Sequence, residues 1–166
     1  VQFFLDKGWN VVGFDNNMRS FFFNTEKVEQ GESLDIDIRD EAGINELFQK
    51  YKFDAVINCV AQPSHDWSKN NPILDFQINS LGTLILLEAT RKYWPEAIFV
   101  HISTDKVYGE NMKREDLYEE ETRYEHWRPF DEKTGLDFAG NRSLFGCSKT
   151  VADIYVQEYG NYFRMK

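Results

Sequence analysis

The stretch "SLFGCSKT" (143–150) places Phe145 four residues before Lys149. On a helix, residues four apart share one face, one turn apart. A lysine ammonium beside a hydroxyl or acid stabilises the anion of that group and makes it a proton acceptor. The group one turn before Lys149, however, is a phenyl ring, which has no proton to exchange. Cys147 lies about 200° from Phe145 at 3.6 residues per turn, so it does not stand in. Upstream, "AIFVHIST" (97–104) ends an apolar run on two hydroxyls, Ser103 and Thr104. Further upstream, "NVVGFDNN" (10–17) ends on Asp15 and Asn16. A carboxylate leaving a strand can accept hydrogen bonds from both hydroxyls of an adenosine ribose. Its charge would repel a 2'-phosphate, which favours NAD over NADP. Arg19 reads as a surface charge.

The elements that must position these groups alternate. "VQFFLDKG" (1–8) reads as the last turns of a helix stopped by Gly8. Strands are predicted at 10–15, at 33–40, where Asp35 and Asp37 alternate with Leu34, Ile36 and Ile38, at 54–61 and at 97–104. The run "DAVINCVA" (54–61) is nearly all apolar, as a strand buried on both faces should be. Helices are predicted over 41–51, over a long span from Pro72 to Tyr93, and over 148–163. Strand–helix alternation of this kind gives an α/β fold, a parallel sheet covered by helices. Ligands then bind at the carboxyl ends of the strands. Asp15, Ala61 and Thr104 all stand at such ends.

The chain of 166 residues is 42% hydrophobic and 16% aromatic, enough for one packed domain. Its net charge of −9 would repel a phosphate backbone, so no nucleic acid partner is expected. No apolar run approaches the ~20 residues of a membrane helix, so no membrane partner is expected either. Cys59 and Cys147 are far apart and outside any CxxC pattern. They read as free buried thiols in a reducing, cytoplasmic compartment, with no metal site.

In "VAQPSHDW" (60–67), "NSLGTLILLEATR" (79–91), "ISTDKVYG" (102–109), "ETRYE" (121–125) and "KTVADIYVQEYGNYF" (149–163), the chain resembles the extended short-chain dehydrogenases/reductases. It is most similar to their NAD-dependent sugar-nucleotide epimerases and dehydratases, and the likeness covers essentially the whole chain. "PSHDW" and "QEYG" favour the branch that epimerises CDP-linked sugars. The resemblance implies a Rossmann-like doubly wound parallel sheet of strand order 3-2-1-4-5-6. Residues 1–166 would be a partial NAD-binding domain, with no second domain. The first strand and its Gly-rich turn would lie upstream of Val1, and the C-terminal substrate region beyond Lys166. The strands ending at Asp15 and Ala61 would then flank a gap.

The resemblance also assigns sites. Asp15 and Asn16 would meet the cofactor ribose, and Asp37 and Ile38 the adenine edge. Ala61 and Gln62 would pass the pyrophosphate and ribose, and Asn79 on the long helix would be a cofactor-contacting or scaffolding amide. Ser103 and Thr104 are the strand-end hydroxyls, Thr104 bonding the reacting sugar hydroxyl. Lys149 is the active-site lysine and cofactor contact, and Phe145 stands where the family carries a catalytic Tyr. The implied chemistry is transient oxidation of a sugar carbon by NAD and re-reduction from the other face. Asp105 and Tyr108 are candidate substitute bases. His65 is a candidate phosphate or substrate contact, His101 reads as a core histidine, and His126 carries no role.

Residues 110–142 show no clear period and read as a lid over the sugar. The partner would be a nucleotide-sugar, and the long and final helices would pair in a homo-oligomer. Two other functions stay open: a 4,6-dehydratase, and a non-catalytic NAD- or sugar-nucleotide-binding module. Many 4,6-dehydratases carry Asp-Glu after the Thr, where this chain has Asp105-Lys106, a pair also seen in the CDP-hexose dehydratases, so the dehydratase left open is one of the CDP-hexose type.

Overall fold

A computed structural model of the chain describes residues 1–18, 31–111, 117–127 and 140–166. Arg19, and Pro129 and Phe130 of the predicted lid, lie outside the described residues.

The chain opens with α1 (Gln2–Asp6), which Gly8 ends in a left-handed conformation at φ 79°. Glycine takes that conformation without a Cβ clash. Two parallel strand pairs follow. β1 (Val12–Asp15) pairs with β2 (Glu32–Asp35), and β3 (Ala55–Asn58) pairs with β4 (Ile98–His101). The parallel α/β pattern is as predicted. The lengths are shorter: alternation predicts a strand through Asp40, yet β2 stops at Asp35. Asp37 there accepts the backbone N–H of Arg39 at 2.9 Å and closes a local turn. Local Asp-to-backbone bonds of this kind compete with the ladder. Asp40 then caps α2 (Glu41–Lys50) by accepting the N–H of Gly43.

One face of the strands is covered. Ile44, Leu47 and Phe48 of α2 pack with Leu86 and Ala89 of α5 (Gly82–Tyr93). Val12, Phe14, Leu34, Val56 and Phe99 reach this core from all four strands. The other face carries Ile57, Ile98 and Val100, all exposed. The expectation that 54–61 is buried on both faces therefore fails, because the helices of this core all pack on the Val56 side. β1 and β3 do not pair. A cavity of about 230 Å³ lies between them, lined by Val12, Phe14, Ala55 and Ile57 among others. The expected gap between these strands is present.

The long predicted helix is three pieces in one: α4 (Pro72–Phe76), a π turn (Gln77–Leu81) and α5. α3 (His65–Asn70) precedes it, capped by Ser64. A short 3₁₀ segment (Asp105–Asn111) follows β4. Within the predicted lid, β5 (Leu117–Glu119) and β6 (Tyr124–His126) form an antiparallel hairpin. Three-residue strands are too short to show a period in sequence, which is why this hairpin was not legible. Tyr118 and Trp127 stack across it at 4.6 Å. α6 (Leu144–Phe163) starts earlier than predicted, with Ser143 as its cap on Gly146.

Candidate active site

Asp15, Asn16, Asp37, Ile38 and Ala61 line one cavity of about 340 Å³ at the carboxyl ends of β1 and β3. Three separate segments bring them together, as the sequence predicts. Asp15 accepts the N–H of Asn17 on Oδ1 at 2.7 Å in a tight turn. Asn16 reaches across and donates to Asp37 Oδ2 at 2.7 Å, which fixes the two sides of the cavity to each other. Arg39 donates to both Asp37 oxygens, at 2.8 and 2.6 Å. These bonds, from Arg39 first, hold the Asp37 carboxyl far below the usual carboxylate range. Asp37 is thus a fixed anion. Gly82 lets α5 approach this wall: a Cβ there would meet Ile38 Cγ2 at 2.6 Å.

Gln62 and Asn79 stand behind the cavity. Asn79 is buried in the π turn, and its amide bonds both backbone groups of Gln62, at 2.8 and 3.2 Å. A π turn adds one residue to the helical turn and so turns a side chain off the regular face. Of its two sequence roles, Asn79 takes the scaffolding one in this geometry. Asp75, 1% exposed, accepts from Gln62 Nε2 at 3.0 Å, Asn79 Nδ2 at 3.2 Å and Ser148 Oγ at 2.6 Å. This buried carboxylate ties the segment after β3 to α6. Neither Asp75 nor Ser148 was singled out from sequence. The Asp75–Asn79 spacing of four on one helix was the available signal.

Lys149, 2% exposed, points at the end of β4. Its Nζ donates to the Ile102 carbonyl at 2.7 Å and lies 3.3 Å from His101 Nε2. Burial pushes the Lys149 ammonium down, opposed by Asp153 and Cys59. Burial first and Lys149 second push His101 down to about 4. The register of the β3–β4 pair sets Asn58 opposite His101. Asn58 Nδ2 lies 3.3 Å from His101 Nδ1. Both ring nitrogens of His101 thus have a partner, as expected of a satisfied histidine in a strand, and one of the two is Lys149.

Phe145 is buried on the same side of α6 as Lys149. The exposed ring of His65 meets it edge-on at 5.1 Å. Thr104 Oγ1 donates to Asp105 Oδ1 at 3.1 Å, and Lys106 pairs with the other oxygen at 3.1 Å. Lys106 first, then Thr104, hold the Asp105 carboxyl low. Ser103 is exposed beyond the strand end. The cysteines are free, but both are exposed, which corrects the expectation of burial. Cys59 opens onto both cavities, and Cys147 faces away from Phe145 as its angular spacing requires.

A sequence profile of the GDP-mannose 4,6 dehydratase family matches residues 1–166. The chain belongs to that family. It is 35% identical to CDP-paratose 2-epimerase of Salmonella typhi over 170 residues, covering 98% of this chain and 49% of that protein. It is 32% identical to dTDP-glucose 4,6-dehydratase of Neisseria gonorrhoeae over 138 residues, covering 78% of this chain and 36% of that protein. The chain spans about half the length of the first relative and about a third of the second. In structure it is similar to UDP-glucose 4-epimerase of Thermus thermophilus in complex with NAD, with a TM-score of 0.71 and 24% identity. That match covers 99% of this chain and 47% of the other, and it establishes the Rossmann-type fold. The sequence resemblance to extended short-chain epimerases and dehydratases therefore holds. Among the described residues, no helix is long and apolar enough to cross a membrane.

Proposed function

We propose that the protein acts in NAD-dependent epimerisation of a CDP-linked sugar, in the manner of CDP-paratose 2-epimerase. The convergence of Asp15, Asn16, Asp37, Ile38 and Ala61 on one cavity supports this most directly. The residues fit the adenosine half of the cofactor. Asp15 keeps Oδ2 for a ribose hydroxyl, and Ile36, Ile38 and Ile78 give apolar wall for a base. Asp15 and Asn16 would hold the ribose, Asp37 and Ile38 the adenine edge, and the Ala61–Gln62 backbone the pyrophosphate side. Asn79 keeps that backbone in place. NAD, when bound, supplies a hydride acceptor and then a hydride donor at one sugar carbon. Thr104 would bond the sugar hydroxyl from which a proton must leave. Its own proton is directed to Asp105 and its oxygen accepts the Lys106 N–H at a long 3.4 Å, which leaves one lone pair for the sugar.

The Thermus neighbour, a complex with NAD by its description, supports the cofactor, and the Salmonella relative supports the CDP-sugar. Incubation of the protein with NAD and CDP-sugars, followed by separation of products, tests the proposal. A sugar inverted at C2 is expected. Failure to turn over any CDP-sugar would overturn it. A 4-keto-6-deoxy product would establish instead the dehydratase reading, which the Neisseria relative supports. Lys106, a cation where many 4,6-dehydratases carry an acid, weakens that reading but is compatible with a CDP-hexose dehydratase, where an Asp-Lys pair is also seen.

A further inference from the structure

The hydrogen bonds around Asn58 leave little freedom in where protons sit. Asn58 Oδ1 accepts the Val60 N–H at 3.1 Å. The Thr83 hydroxyl donates its only proton to the Asn79 carbonyl at 2.7 Å. Thr83 Oγ1 must therefore accept from Asn58 Nδ2, 3.1 Å away. Both bonds orient the Asn58 amide the same way, with its NH₂ toward His101. His101 Nδ1, 3.3 Å from that NH₂, is then an acceptor and carries no proton. A neutral imidazole has one N–H, so it sits on Nε2. A doubly protonated ring would set N–H against N–H at Asn58, and the depressed His101 pKa agrees with a neutral ring.

His101 Nε2–H therefore faces Lys149 Nζ at 3.3 Å. An ammonium there would set donor against donor. A free amine has a lone pair for Nε2–H and still donates to the Ile102 carbonyl at 2.7 Å. Among the described residues, Cys59 from the end of β3 and Asp153 one turn further along α6 act on the Lys149 charge, and both favour the charged form. Burial opposes them and is the larger influence. We propose that Asn58 and His101 hold Lys149 as an uncharged amine at neutral pH, and that this amine is the proton acceptor that Phe145 cannot be.

The proposal joins two features that are otherwise unrelated. A lysine charge near the active site serves to stabilise a phenolate, and with Phe145 there is no phenolate to stabilise. An amine with a lowered pKa is instead a good general base, since efficiency is highest when the pKa lies near the working pH. The proton of a bound hydroxyl moves to the Nζ lone pair and gives an ammonium. NAD, when bound, would take up the hydride from the same carbon, and the ammonium proton would return to the oxygen when the hydride returned. The 3.3 Å contact to His101 is long, so it yields readily to a hydroxyl donor. The acceptor role rests on the epimerase proposal, whereas the charge state does not.

NMR on the protein labelled with ¹⁵N in histidine and lysine tests this without any substrate, so its failure is distinct from failure to turn over a CDP-sugar. At neutral pH, His101 is expected as the Nε2–H tautomer. Lys149 Nζ is expected with the ¹⁵N shift of a free amine at neutral pH, gaining its proton only on acidification, whereas an ordinary lysine titrates at about 10.4. In Asn58→Leu, His101 is released to the Nδ1–H tautomer, and the Lys149 titration moves up toward the ordinary value. A Nδ1–H tautomer in the parent protein, or a Lys149 that is still an ammonium at neutral pH, overturns the proposal even if the variant does not fold. An unmoved Lys149 titration in folded Asn58→Leu overturns it as well.

Discussion

Asn79 bonds both backbone groups of Gln62, accepting its N–H at 2.8 Å and donating to its carbonyl at 3.2 Å. The same amide donates to Ser148 Oγ at 3.0 Å, so one buried side chain connects the segment beyond β3 to α6. Removing it leaves the Gln62 N–H without its acceptor in a dry environment. Asn79→Ala should therefore lower stability by about 1–3 kcal/mol, the cost of an unsatisfied buried donor. Urea unfolding monitored by circular dichroism measures this. A change within experimental error would mean that the Gln62 backbone finds another partner.

Asp75 gives a sharper comparison. Its carboxylate takes three donors, from Gln62, Asn79 and Ser148. In Asp75→Ala all three lose their acceptor, and a loss of about 2–4 kcal/mol is expected. In Asp75→Asn the remaining oxygen can still serve Gln62 and Asn79. Ser148 can turn its hydroxyl to the Phe145 carbonyl at 3.0 Å, a bond its position already permits. The Asn variant should be clearly the more stable of the two. Equal losses would show that the charge, and not the hydrogen-bonding capacity, is what the site uses.

The packing against α5, where Tyr159 of α6 and Met165 meet Leu87, is linked to pH through Glu88. Its carboxylate takes Arg91 and the Tyr159 hydroxyl, the latter at 2.6 Å. Arg91 first and Tyr159 next lower it from 4.5 to about 2. A folded-state value below the unfolded one means the ionised form is favoured by folding. This stabilisation is complete above pH 4.5 and disappears as pH falls from there toward 2. Glu88 is nearly half exposed, so screening keeps the effect within about 1 kcal/mol. Thermal unfolding of Glu88→Gln over that range should show a flatter dependence on pH than the parent protein. Parallel curves would remove Glu88 from the account.

Part of the cavity at the carboxyl ends of β1 and β3 was legible in sequence because Asp15 and Ala61 each end an apolar run. Asp15 ends β1, Ala61 lies three residues past β3 and Thr104 three past β4, and a parallel sheet puts all strand ends on one side. The polar interior was not legible. Asn58 lies within "DAVINCVA", where a single amide reads as a tolerated defect. Only the β3–β4 register, which sets it against His101, gives it a purpose. Asp75 and Ser148 are 73 residues apart in sequence and meet at 2.6 Å, a contact that no local pattern encodes. The cysteines were misplaced for a related reason. Thiols are usually buried, but which face of a strand or helix is covered depends on the partners packed against it.

Cofactor preference follows from Asp15. In the proposed complex its carboxylate accepts a ribose hydroxyl and repels a 2'-phosphate. Asp15→Ala should weaken NAD binding by about 1.5–3 kcal/mol, the range for hydrogen bonds to a charged acceptor. It should also narrow the gap between NAD and NADP, since the repulsion disappears with the charge. Titration calorimetry with both cofactors measures each effect. Equal affinity of the parent protein for the two would count against the ribose assignment.

The Phe145 position closes the series. The ring is 6% exposed, one turn from Lys149, with His65 against its edge. Phe145→Tyr keeps the ring and adds one hydroxyl, so the fold should tolerate it where the added oxygen meets water or sugar. A phenol there can pass a proton between a sugar hydroxyl and the Lys149 amine, which shortens the path the lysine alone must cover. General acid/base catalysis is worth about 10²–10⁴ in rate, and the variant should recover part of that range. Its pH–rate profile should also gain an ionisation that the parent lacks. Lys149→Met should abolish turnover in the parent, because no phenol replaces the amine, and should lower it in Phe145→Tyr. Rates of CDP-sugar epimerisation across pH for the four proteins measure all of this. If Lys149→Met leaves the parent rate unchanged, the proton goes elsewhere, and His65, exposed at the edge of the same ring, is the next residue to replace.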